Sequence, residues 1–96
     1  MSRAQPKKEA TIRCKVASGM FSDERSVVVE LPGKHIVTFV DRSDVVVSRD
    51  PKPGEQLEGR VRVAVLEVNR SSALVDLPQP AVTQGTRLRI PKTMLE

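Results

Sequence analysis

Tryptophan and tyrosine are missing from these 96 residues, and the aromatic content stops at two phenylalanines. Barrels that hold single-stranded nucleic acid usually stack the bases on aromatic rings, so a chain this poor in them would rest on phosphate contacts, weak, salt-sensitive and little concerned with sequence. The lone cysteine, Cys14, excludes an internal disulfide, and nothing here asks for an oxidising compartment. A lone histidine, His35, has no companion at metal-ligand spacing and reads as a surface turn residue; neither a metal nor a cofactor is expected. No apolar run approaches the length that crosses a bilayer, and the opening MSRAQPKKEA lacks the apolar stretch of a signal peptide. Residues 1–10 are expected to be a basic mobile tail and residues 11–96 a single domain. A soluble cytoplasmic setting with no membrane partner is the expectation.

Valine dominates what is present, and it alternates. In TIRCKV (11–16), Ile12, Cys14 and Val16 share one face, with Arg13 and Lys15 on the other. SVVVEL (26–31) puts Val27, Val29 and Leu31 inward and stops at Pro32-Gly33, a pair suited to a turn because proline presets its φ and glycine accepts a positive one. HIVTFV (35–40) reads as the next strand, DRSD (41–44) as a charged turn or short 3₁₀ segment, and VVV (45–47) as a further short strand. After the turn-rich SRDPKPGE (48–55) comes GRVRVAVLEV (59–68), with Val61, Val63 and Val65 inward. ALVDL (73–77) and TRLRI (86–90) follow, the latter with Leu88 and Ile90 inward. No window has a helical period. The expected fold is all-β: a small closed or partly open antiparallel barrel of five to six strands.

VVVELP (27–32) and ALVDLP (73–78) nearly repeat one another. A duplication would align Ile12–Val16 with Val61–Val65 and Val40–Ser43 with Ile90–Thr93, giving two similar three-stranded halves. The alternative is that two amphipathic hairpins look alike because a period of two fixes half the letters. Both stay open at this level.

A second pattern runs through residues 11–78. GMF precedes a strand ending VELPG; the turn Ser43-Asp44-Val45 and the glycine-led strand from Val63 to Asn69 come later. These segments resemble the OB-fold RNA-binding repeat of the ribosomal S-one type. The resemblance implies an OB-like barrel that contacts RNA, with Phe39 where a family aromatic would stand. Asp41 occupies the place of a family histidine, and residues from Gln79 onward fall outside the pattern.

The net charge of +4 favours acidic partners. Arg13, Lys15, Arg60, Arg62, Arg87 and Arg89 all point outward from strands whose other face is core. Laid side by side they would form a ladder tracking a phosphate backbone, with Phe39 as the one stacking ring. Opposed to this, outward charges guard strand edges, and Glu30, Glu67 and Asp76 could pair with them. The expected function is a non-catalytic module binding nucleic acid, RNA before DNA, through phosphates. The alternative is a protein-interaction or homodimerisation module using the edge at Val46 or the Met20-Phe21 loop, although that loop is first expected to plug a barrel end. Catalysis finds no nucleophile–base set or phosphate loop, and the acid pairs Asp41/Asp44 and Asp23/Glu24 read as turn caps.

Overall fold

A computed structural model of the chain describes residues 8–82 and 85–96. It is all-β. The first meander comprises β1 (Lys8–Ser18), β2 (Glu24–Leu31) and β3 (Lys34–Asp41). A 3₁₀ turn, Arg42–Asp44, leads to the two-residue β4 (Val45–Val46). The second meander comprises β5 (Gln56–Val68), β6 (Ser72–Asp76) and β7 (Arg87–Pro91), and a 3₁₀ turn at Lys92–Met94 follows it. All pairing is antiparallel, in the order β3-β2-β1-β5-β6-β7, with β4 added on β5. Among the described residues, no helix is long and apolar enough to cross a membrane.

The alternation read from the sequence drives this arrangement. Ile12, Val16, Val27, Val29, Val61 and Val75 are fully buried and belong to one cluster shared by both meanders. Burying each such side chain is worth about 1.5–3 kcal/mol, enough to fix the register because a slip of one residue would turn the whole set outward. Cys14 lies in that cluster, and desolvation pushes its thiol up to about 12, with the charge of Glu58 a smaller cause. It is a small apolar core group.

The sheet curls on itself. Thr38 of β3 bridges Ala81, and the amide of Val82 donates to the Val37 carbonyl at 2.8 Å, so the segment after β6 is fastened along the outer edge of β3. The fully buried Thr38 hydroxyl lies within bonding reach of the carbonyls of Gln79 (3.2 Å) and Pro80 (3.1 Å). The result is an open half-barrel.

The two meanders are joined through a long β1–β5 ladder in which Ile12 faces Val61. Each meander then sends the residues after its 3₁₀ turn back onto the first strand of the other. Val45 pairs with Val61 and Val46 with Arg60, while Leu95 bridges Ile12 and Glu96 exchanges backbone hydrogen bonds with Thr11 at 3.1 and 2.8 Å. The echo itself is two residues out of step with this pairing: Val16 faces Val27, but Val65 faces Val75.

Three expectations change. β1 begins at Lys8, so Lys8–Ala10 are not tail but pair with Val63–Val65; residues 1–7 of the expected tail lie outside the described residues. Val65 is only half-buried because the β5–β6 register shifts between Val65 and Glu67, a bulge that breaks the alternation there. Met20 and Phe21 plug nothing: they are 88% and 71% exposed.

Candidate functional site

The six outward cations do not form one ladder. β1 and β5 are neighbours, so Arg13, Lys15, Arg60 and Arg62 lie together, but β6 separates β5 from the Arg87 and Arg89 of β7. Arg13 and Arg60 are direct cross-strand partners, a repulsive placement of like charges. Glu96 relieves it, one oxygen lying 3.3 Å from Arg13 Nε and the other 3.3 Å from Arg60 Nη1. Arg13 also donates to the Thr93 carbonyl. Lys15 pairs with Glu58 at 3.5 Å, Arg87 with Asp76 at 3.4 Å and Arg89 with Glu67 at 3.1 Å. Arg62 Nε donates to the Ser43 carbonyl at 3.1 Å. Exposed pairs like these contribute roughly 0.2–1 kcal/mol each. Glu67 and Asp76 thus pair with outward arginines as the edge-guarding alternative expected, whereas Glu30, its third candidate, stands opposite His35.

Phe39 stands on the outer face of β3 opposite Ser26, 44% exposed. Phe21, in the connection between β1 and β2, lines the same hollow, about 330 Å³, with Gln79 as a further wall. The chain's two aromatic side chains thus share one surface depression. Its rim is acidic: Asp23, Glu24 and Asp41 all line it. The connection is held by Glu24, whose Oε1 accepts from the Met20 amide at 2.7 Å, and whose own amide donates to the Phe21 carbonyl at 3.0 Å. Asp41 caps the 3₁₀ turn, accepting from the Ser43 hydroxyl at 2.6 Å and the Ser43 amide at 2.8 Å. Those two bonds, hydroxyl first, lower its pKa and keep the carboxylate charged.

Across Asp23 and Asp41 from the aromatics lies a second hollow of about 540 Å³, walled by Arg25, Arg42, Arg62, Asp50 and the valine run 45–47. Arg25 takes an inward place on β2, opposite Val40, and its side chain is only 7% exposed. Nothing in the sequence reading singled it out, although it shares the inward parity of Val27, Val29 and Leu31. Asp50, its carboxylate partner at 3.4 Å, comes from the turn-rich 48–55 stretch and had no periodic signal to mark it. Within that stretch Arg49 grips Glu55 through both carboxylate oxygens, and Glu55 also accepts from the Lys52 amide. The Arg49 bond, then the Lys52 amide, lower the Glu55 pKa to about 2.

Comparison with protein-family models, curated proteins and solved structures returns no match. Among the described residues no group of histidine, cysteine and acidic side chains is placed to hold a metal ion. His35 sits exposed at the start of β3, facing Glu30 across the hairpin. The edge at Val46 is half-buried, since β4 pairs with β5 and packs over Gly59.

Proposed function

We propose that this chain is a non-catalytic protein-interaction module whose docking surface is the Phe21–Phe39 hollow. The observation that carries the reading is the joint exposure of both aromatic side chains in one depression ringed by Asp23, Glu24 and Asp41. Exposed rings clustered at one place cost solvation and mark contact surfaces more often than scattered apolar residues do. The acidic rim selects the partner: an apolar or aromatic side chain flanked by lysine or arginine. It equally disfavours a polyanion approaching those rings. Met20, more exposed still, lies beside Phe21 and extends the apolar area.

The matching return pairings of the two meanders support reading them as halves of one duplicated unit. On that reading the hollow belongs to one half alone, because the β1–β2 connection that supplies Met20 and Phe21 is longer than the β5–β6 connection. The OB-like kinship stays part of the proposal for the sheet only, where β1 pairs with both β2 and β5. β7 and the residues after it extend beyond the stretch the resemblance covers.

A random peptide library selected on the protein, and in parallel on a Phe39→Glu variant, tests the reading. Enriched peptides should carry an apolar residue next to lysine or arginine and should lose binding to the variant. Enriched peptides that bind both proteins equally would overturn it. An absence of enrichment, joined to amide shifts at Arg13, Arg60 and Arg62 on adding short mixed-sequence RNA at low salt, would return the reading to nucleic acid.

A further inference from the structure

Arg25 is a cation placed where its neighbours along the strand are core valines. A guanidinium withdrawn from water needs its hydrogen bonds and its charge compensated from within the fold. The first need is half met: Nη1 donates to the carbonyls of Ser22 and Glu24, both at 2.9 Å. The second is met poorly. Among the described residues Nη2 bonds only to Asp50 Oδ1, at 3.4 Å, with the Asp50 side chain 76% exposed, and Asp41 is a second carboxylate in charge contact. A solvated carboxylate at that distance is a replaceable counter-ion.

The space in front of Nη2 is the hollow of about 540 Å³, and two further guanidinium groups line it. Arg42 lies 3.9 Å from the well-exposed Asp23 carboxylate and in charge contact with Asp41. Arg62 uses Nε on the Ser43 carbonyl, and among the described residues its terminal nitrogens make no hydrogen bond. The valine run 45–47 lines the same hollow. Arginine forks match an oxyanion through paired N–H bonds, which chloride cannot reproduce.

We infer that this hollow binds a phosphate dianion, taken by Arg25 with Arg42 and Arg62 in place of the Asp50 carboxylate. Asp41, its oxygen engaged by Ser43, and Asp23 stay in the lining as like charges, so binding is weak and salt-dependent. The same dianion can come free or as a monoester on a larger molecule. This site shares the walls Asp23 and Asp41 with the aromatic hollow but none of its rings, and the inference does not rest on the protein-binding reading.

The test is an NMR titration at neutral pH that follows the arginine Nε–Hε and backbone amide signals. Inorganic phosphate, phenyl phosphate and sodium chloride are compared at matched ionic strength. Phosphate should give saturable shifts at Arg25, Arg42, Arg62 and Asp50, with chloride giving none that saturate. Asp50→Asn should tighten binding roughly two- to fivefold, the range expected from removing one exposed competing ion pair. Arg42→Gln, on an exposed residue that leaves the core intact, should weaken it, whereas Arg25→Gln risks the fold and serves only if its melting is unchanged. Tighter binding of phenyl phosphate assigns the site to an ester; preference for inorganic phosphate assigns it to the free ion. Shifts that follow ionic strength alone, or an Asp50→Asn variant no tighter than the parent, would overturn the inference. Phe39→Glu should leave phosphate binding intact, which keeps this outcome distinct from failure of the peptide experiment.

Discussion

Replacing Gly59 with alanine should destabilise the protein by about 1–2 kcal/mol, although alanine ordinarily improves on glycine within a strand. Gly59 sits on β5 where β4 crosses over it and Cys14 of β1 lies opposite. A Cβ there would come within 2.6 Å of Val47 Cγ1, 2.8 Å of the Val46 carbonyl oxygen and 3.1 Å of Val16 Cγ2. The valine methyl can turn aside, but the carbonyl is backbone and the Val16 methyl is core. Overpacking of this kind costs about 1–3 kcal/mol, against which the lost freedom of the unfolded chain returns about 0.4–1 kcal/mol. Urea unfolding should therefore show a lower midpoint at unchanged slope, and thermal melting a drop of roughly 4–15 °C for a domain of this size. Val47→Ala in the same background should recover part of the loss by removing the nearest methyl, leaving the carbonyl contact. A Gly59→Ala variant as stable as the parent would show that β4 does not lie this close to β5, and with it the apolar wall of the second hollow would be in doubt.

Two further outcomes follow from ionisation. Glu55 has its folded pKa lowered to about 2 from the usual 4.5, so it adds stability at pH values above the unfolded pKa, and that increment disappears as pH falls from about 4.5 to about 2. Glu55→Gln should flatten that part of the pH–stability curve, and carboxyl NMR of the parent should show a late titration; a midpoint near 4.5 would refute the Arg49 grip. Cys14, with its thiol pushed up to about 12, should resist alkylating reagents at neutral pH and react only as urea opens the fold. Rapid labelling of the native protein would contradict its burial.

Much of the fold could be read from period-two alternation, because each strand buries one face. Ile12, Cys14 and Val16, or Leu88 and Ile90, could be assigned from spacing alone, and they are core. Pro32-Gly33 likewise announced its turn, and Gly33 has the positive φ, 79°, that only glycine takes readily. What escaped was set by distant partners. Lys8–Ala10 are polar and tail-like until Val63–Val65 offer them an edge. The Val65–Glu67 bulge answers to β6, not to any local residue. For the site, the outward cations were legible individually, but their carboxylate partners were not, since Glu96 lies at the far end of the chain from Arg13. Phe39 was placed correctly on a strand, while Phe21, expected to plug a barrel end, faces solvent. Arg25 was the readable omission: two positions before Val27, its parity already pointed inward.

The β1–β5 ladder has a consequence for how the chain reaches this state. Hairpins β2–β3 and β5–β6 join near neighbours, but Lys8 meets Val65 and Ile12 meets both Val61 and Leu95. Loop closure on that scale costs entropy before any contact repays it, so folding belongs with the slow all-β domains, in milliseconds to seconds. By that argument the hairpins should form first as separate, one-sided ribbons, each with a bare valine face, with the seam closing last. Until it does, the valine-rich edges of β1 and β5 are open to other copies of the chain, so the yield of refolding should fall as protein concentration rises.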